Sequence, residues 1–181
     1  CGKKSVNRFY KKNLKKIKIK IKVVKIMSDK SYVIEKEFTH NDMPCVCVLN
    51  AMSIRCGYVG VDKNHPYFGI NYYEPGADNI RAHWGLTFSG FPYFDEGNRD
   101  WWYFGFDCGH AWDLHDYDAA FKAGLISEKQ YEFGKKMNEK MATSEDNVTY
   151  SIKNVDFVEQ MCKFVADQLE VVKNNGNICS Q

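Results

Sequence analysis

The segment from Asp100 to Phe121 concentrates the residues best suited to chemistry. It holds Asp100, Asp107, Asp113, Asp116 and Asp118 with His110 and His115, and no Lys or Arg. Carboxylates this crowded repel one another, so a divalent cation, raised pKa values or open solvent must offset them. Imidazole with carboxylate is a normal set of metal ligands and equally a normal acid–base pair. Asp107 and His110 follow the most strand-like stretch of the chain, where scaffolded sites open onto loops. They are the leading catalytic candidates, joined by His83, which heads another strand-like stretch. Asp107, His110 and Asp113 are the expected ligands of a divalent metal, with Asp113 alternatively orienting one of the histidines. His115, Asp116 and Asp118 read as surface groups, and Asp113 or Asp116 is equally suited to cap a following helix. Cys108 beside Asp107 and His110 would permit a thiolate nucleophile, but strand alternation turns it toward the core instead.

Two further sets of residues bear on a ligand. Arg55, Arg81 and Arg99 flank the expected strands and are placed to clamp an anion such as phosphate, although pairing with surface acids is the commoner fate of such residues. Trp84, Trp102 and Trp112 offer faces on which a planar base can stack. Neither Gly-x-Ser-x-Gly nor His-Glu-x-x-His occurs, so no familiar hydrolase motif is present.

The elements that must position these groups are legible in the periodicity. Tyr32 to Phe38 and Cys45 to Leu49 read as a hairpin turning at Asn41-Asp42. Cys56 to Val61 reads as a third strand and His83 to Phe88 as a fourth. Trp101 to Phe106, aromatic on both faces, reads as the central strand. Residues 62–82 form a long connection of the kind that is either functional or hides further structure, and a punctuated loop runs from Ser89 to Asp100. Ser127 with Gln130 forms a capping box that opens a helix to about Met141. Asn154 caps a last helix, in which Val155, Val158, Cys162, Val165, Leu169 and Val172 keep a 3–4 spacing up to Gly176. The expected architecture is α+β, an antiparallel sheet of four or five strands covered on one face by two or three helices. Residues 27–181 form one domain.

Of 181 residues, the first 26 contain ten Lys, one Arg and no acid, whereas residues 27–181 carry 14 basic and 23 acidic side chains, so the net +2 joins a +11 arm to a −9 body. Lys16, Lys18, Lys20 and Lys22 alternate with apolar residues at a strand period. Such an arm could grip nucleic acid or an anionic surface by counterion release, or form a solvated edge. A first residue that is Cys, and a Lys/Ile/Asn-rich composition, instead point to Met27 as the start, with residues 1–26 not native. The acidic body argues against a dedicated duplex-DNA binder. Seven cysteines without a Cys-x-x-Cys read as reduced thiols, with Cys162 in the core and Cys45 and Cys47 on one strand face. No run of about 18 apolar residues is present, so a membrane helix is not expected and a cytoplasmic location is.

Four blocks then carry a resemblance: Arg55-Cys-Gly-Tyr-Val-Gly-Val61, His65-Pro66, His83-Trp-Gly-Leu-Thr-Phe88 and Gly105-Phe-Asp-Cys-Gly-His-Ala-Trp-Asp113. Together they resemble the signature blocks of a small protein family carried by bacteriophages and prophages, over residues 28–173. In that family the third block reads His-Gly-Gly-Leu-Thr and the fourth ends His-Ala-Gly-Asp, so Trp84 and Trp112 stand here where the family pattern has glycine. The resemblance implies an accessory role in an infected host. Joined to the residue reading, it gives the expectation of a nucleotide-like or phosphorylated small-molecule ligand in a His/Asp/aromatic pocket, hydrolysed with a bound metal. The alternative is a non-catalytic sponge for a host signalling nucleotide, or an inhibitor of a host defence protein.

Overall fold

A computed structural model describes residues 31–143 and 149–178; the basic arm and the expected start at Met27 lie outside them. Five antiparallel strands form one sheet: β1 (Tyr32–His40), β2 (Met43–Asn50), β3 (Arg55–Asp62), β4 (Phe88–Gly90) and β5 (Trp101–Asp107). Their order is β1-β2-β3-β5-β4. Three helices follow, α1 (Tyr117–Lys122), α2 (Glu128–Ala142) and α3 (Val155–Ile178). The α+β class, the strand number and the helix number are as the sequence implies.

The core lies between the sheet and α3. Val158, Cys162, Val165, Ala166 and Leu169, all fully buried, project from one side of the helix onto β2 and β3. Gly57 is what allows the close approach, since a Cβ there would fall 2.7 Å from the Cys162 sulfur and nearer still to the Phe106 ring. Cys45 and Cys47 share the face of Gly57 through their register with Val59 and Gly57, which buries both thiols against α3. Leu49, two residues further along, packs with Ala120, Leu125 and Ile126, so α1 and the α1–α2 junction close the same face at its far end. The helices start where expected. Ser127 and Gln130 exchange both capping-box bonds, and Asn154 Oδ1 accepts from the Phe157 N–H.

Two expectations need correction. The fourth strand is Phe88–Gly90, not His83–Phe88. Trp84 and Gly85 both take positive φ, 60° and 99°, and the Gly85 N–H bonds back to Ala82, which turns the chain before it can extend. β5 is an interior strand, but the middle of the sheet is β3; the short β4 closes the edge beyond β5. The connection over 63–87 also hides structure. It is pinned by His65, whose Nδ1 accepts from the Tyr67 N–H and whose Nε2 donates to the Leu169 carbonyl of α3. A small parallel pair, β6 (Asp113–Leu114) and β7 (Ser151–Ile152), ties the loop after β5 to the start of α3.

Candidate functional site

The β6–β7 pair fixes the position of Asp113, whose side chain is only 2% exposed. Oδ2 accepts from His83 Nε2 at 2.8 Å and from the His110 backbone N–H at 3.2 Å, and Oδ1 faces Lys153 Nζ at 3.6 Å. Burial alone would raise the pKa of this carboxyl. The His83 bond, the His110 N–H and the Lys153 charge outweigh it and hold Asp113 below the usual carboxylate range. Because an ionised carboxylate only accepts, the proton of the His83–Asp113 bond sits on His83 Nε2.

His110 completes the cluster. Its Nδ1 is buried without a hydrogen-bond partner and lies 3.4 Å from Asp113 Oδ2, in a geometry that makes no hydrogen bond. His83, His110 and Asp113 each offer one donor atom, and the three atoms lie within 4.8 Å of one another. Two imidazoles and one carboxylate are the donor set of three-ligand zinc and iron sites, which leave positions open for substrate. An orphaned ring nitrogen at the centre of such a set is what an added cation would satisfy. Without a cation, the Asp113–His83 pair has the form of an oriented imidazole base.

The walls are aromatic. The His83 ring meets the His110 ring at 5.5 Å and the Phe157 ring at 5.2 Å, both edge to face. Trp84 lies over His110 with centroids 5.9 Å apart, and Trp112 lies 4.7 Å beyond Trp84. Trp84 and Trp112 stay 57% and 40% exposed, so the cluster carries an indole pair open to solvent.

Other expected site residues fall elsewhere. Asp107 is not one of the three clustered donors; His83 takes that place. Its Oδ1 accepts from the Gly109 N–H at 2.9 Å and stands 3.9 Å from His110 Nδ1. Register with Cys56 puts its side chain on the sheet face away from α3, where it walls a separate hollow. Arg55 is no anion clamp. It is 6% exposed and held by Glu35 through two nitrogens, by Asp116 at 2.7 Å and by the Lys153 carbonyl at 3.1 Å. Asp116 thus does two jobs, since its Oδ1 also caps α1 at the Ala119 N–H.

Trp102 stands five residues from Asp107 along β5, about 16 Å at the usual rise, and its Nε1 donates to the Ile70 carbonyl. It is a wall of the core at the other end of the strand. Arg99 lies over Phe91, which packs on that same Trp102, so it too belongs to the far end. The exposed Arg81 lies over Phe164 of α3, its backbone held on both sides by Gln168. Cys108 is buried, and burial pushes its thiol far up, as expected of a core cysteine. Sequence reasoning missed Lys153, which shows there only as the residue before a helix cap, and Phe157, which shows only as a core position.

Comparison of the chain with protein-family models, curated proteins and solved structures finds no match. No helix among the described residues is long and apolar enough to cross a membrane.

Proposed function

We propose that this chain binds a phosphorylated, nucleotide-like small molecule through one divalent cation held by His83, His110 and Asp113, and hydrolyses it there. The observation that carries the reading is the convergence of those three donor atoms within 4.8 Å, one of them a buried ring nitrogen with no partner. His83, His110 and Asp113 would hold the cation, which would supply Lewis-acid chemistry and positive charge for a phosphoryl oxygen.

Charge bookkeeping supports a cation. Arg55 is consumed by Glu35 and Asp116, and Arg99 lies at the far end of β5. Near the cluster, Arg81 lies over the Phe164 ring, and Lys153 is bonded to Ser151 Oγ and turned to Asp113. A phosphate would therefore need positive charge that a metal is suited to bring. Without the cation, Asp113 accepts from His83 Nε2 and from the His110 N–H and faces Lys153, which holds the His83 ring in place. A bound cation would take the place of the proton that His83 shares with Asp113. Trp84 and Trp112 supply the stacking face for the planar part of the ligand, and the accessory role in an infected host follows the phage resemblance. The test is phosphate release from a panel of nucleotides with added Mn²⁺ or Zn²⁺. Turnover that His110→Ala abolishes supports hydrolysis; no release from any member overturns it.

The exposed indole pair favours a second reading, capture without chemistry, in which the protein sequesters a host signalling nucleotide or blocks a host defence protein. Mass spectrometry of ligand released by denaturation separates the two. Intact ligand after long incubation supports capture, and cleaved ligand supports hydrolysis.

A further inference from the structure

On the sheet face away from α3, beyond the cover provided by Phe94, lies a half-open hollow of about 380 Å³. Its apolar walls include Met52, Ile54, Tyr58 and Phe88, with the Tyr58 and Phe88 rings packed edge to face at 5.5 Å. Its polar side chains are Asp107 and Asn50, with the hydroxyls of Thr87 and Tyr58, and none of the residues lining it is basic. This volume lies in the range of small-molecule sites, and an apolar wall with few polar groups is their usual make-up.

Asp107 and Asn50 are each half used, and what remains of them favours one kind of ligand. Asp107 spends Oδ1 on the Gly109 N–H, and among the described residues no Lys or Arg pairs with it. A carboxylate in this state offers strong acceptance to N–H donors. Asn50 spends its Oδ1 on the backbone N–H groups of Met52 and Ile54, which fixes the amide with its nitrogen as the free end. That nitrogen has only the Cys56 sulfur, at 3.8 Å. Beside the hydroxyls of Thr87 and Tyr58, the hollow thus presents a carboxylate acceptor and an amide donor against largely apolar walls. An anionic group inside it would face Asp107 with no Lys or Arg on the lining to offset the repulsion. A simple amine would satisfy Asp107 and leave Asn50 unanswered.

We propose that this hollow binds a planar heterocycle of the guanine type. The ring's adjacent N–H donors bond Asp107, its carbonyl oxygen accepts from the Asn50 amide, and its apolar body lies among Met52, Ile54 and Phe88. The hollow adjoins the His83–His110–Asp113 cluster, since Asp107 Oδ1 stands 3.9 Å from His110 Nδ1. It contains neither His83 nor Asp113 and needs no metal, so its test in EDTA is separate from that of the hydrolase reading.

The experiment is calorimetric titration of the full chain in EDTA with guanosine, adenosine and the diamine putrescine, using nucleosides so that no phosphate contributes. Guanosine binding at least tenfold tighter than adenosine, and weakened at least tenfold in Asp107→Asn, is the expected result. Asparagine at position 107 retains an oxygen for the Gly109 N–H, which preserves the fold. Thr87→Trp, which fills the hollow from its rim, abolishes binding by an independent route. Equal affinity for adenosine, preference for putrescine, binding indifferent to both variants, or no binding of guanosine each overturns the proposal.

Discussion

His83 Nε2 lies 2.8 Å from Asp113 Oδ2 across 30 residues of chain, and the carboxylate that receives it is almost wholly buried. The loop before β4 and the short β6 strand meet at this bond, so it is structural before it is chemical. Asp113→Ala would leave His83 and the His110 N–H without their acceptor and Lys153 without its counter-charge. Removing one partner of a buried pair costs about 3–5 kcal/mol, and urea denaturation of the variant is expected to show a loss near the lower end because His83 keeps some contact with water. A loss under about 1 kcal/mol would remove the bond from the account of the fold.

Arg55 gives a second, independent stability prediction. Its guanidinium joins β1 through Glu35, the α1 cap through Asp116, and the approach to α3 through the Lys153 carbonyl. Arg55→Met strands two acids and lowers stability by about 3 kcal/mol, with no direct effect on ligand affinity in protein that remains folded. Weakened phosphate-ligand binding at unchanged stability would restore the anion-clamp role.

Trp84 sits at φ 60°, where a side chain with a Cβ is strained by about 1–2 kcal/mol relative to glycine. In ordinary extended or helical backbone, alanine is the more stabilising of the two small residues. Here the order reverses: Trp84→Gly is expected to melt above Trp84→Ala, while both lose the stacking face for a planar ligand. Alanine melting higher would mean that the turn is not left-handed at this position. The phage-family pattern noted above has glycine here, which this backbone accepts without strain.

His65 predicts a pH effect away from the site. Burial lowers its pKa, the Leu169 bond and Asp62 oppose that, and Lys173 adds to it; the net shift is downward. A histidine that holds a proton less readily when folded than unfolded stabilises the protein fully above its ordinary value near 6.5 and loses that contribution as pH falls below it. The stability difference between wild type and His65→Gln, measured by denaturation, is therefore largest at neutral pH and shrinks toward pH 5. A constant or growing difference would contradict the assignment of His65 as a neutral pin.

The elements whose pattern is local were legible in the sequence. The capping box at Ser127, the Asn154 cap and the 3–4 spacing from Val155 to Leu169 each act within a few residues, so no distant contact can overturn them. The site was half legible. His83, His110 and Asp113 stand out by type, but their meeting depends on a left-handed turn at a tryptophan, which no propensity predicts. Asp107 misled because it stands three residues from His110 in the chain, while register with Cys56 directs its side chain to the other face. Arg55 misled because a lone cation in a sequence does not reveal that Glu35 and Asp116, 20 residues before it and 61 after it, close around it.

The central claim is that His83, His110 and Asp113 together hold one divalent cation, and calorimetric titration of EDTA-stripped protein with Zn²⁺ and Mn²⁺ tests it most directly. The account predicts one site per chain, lost in both His83→Ala and His110→Ala and retained in Asp107→Asn. No saturable site, or one that survives both histidine substitutions, would contradict it.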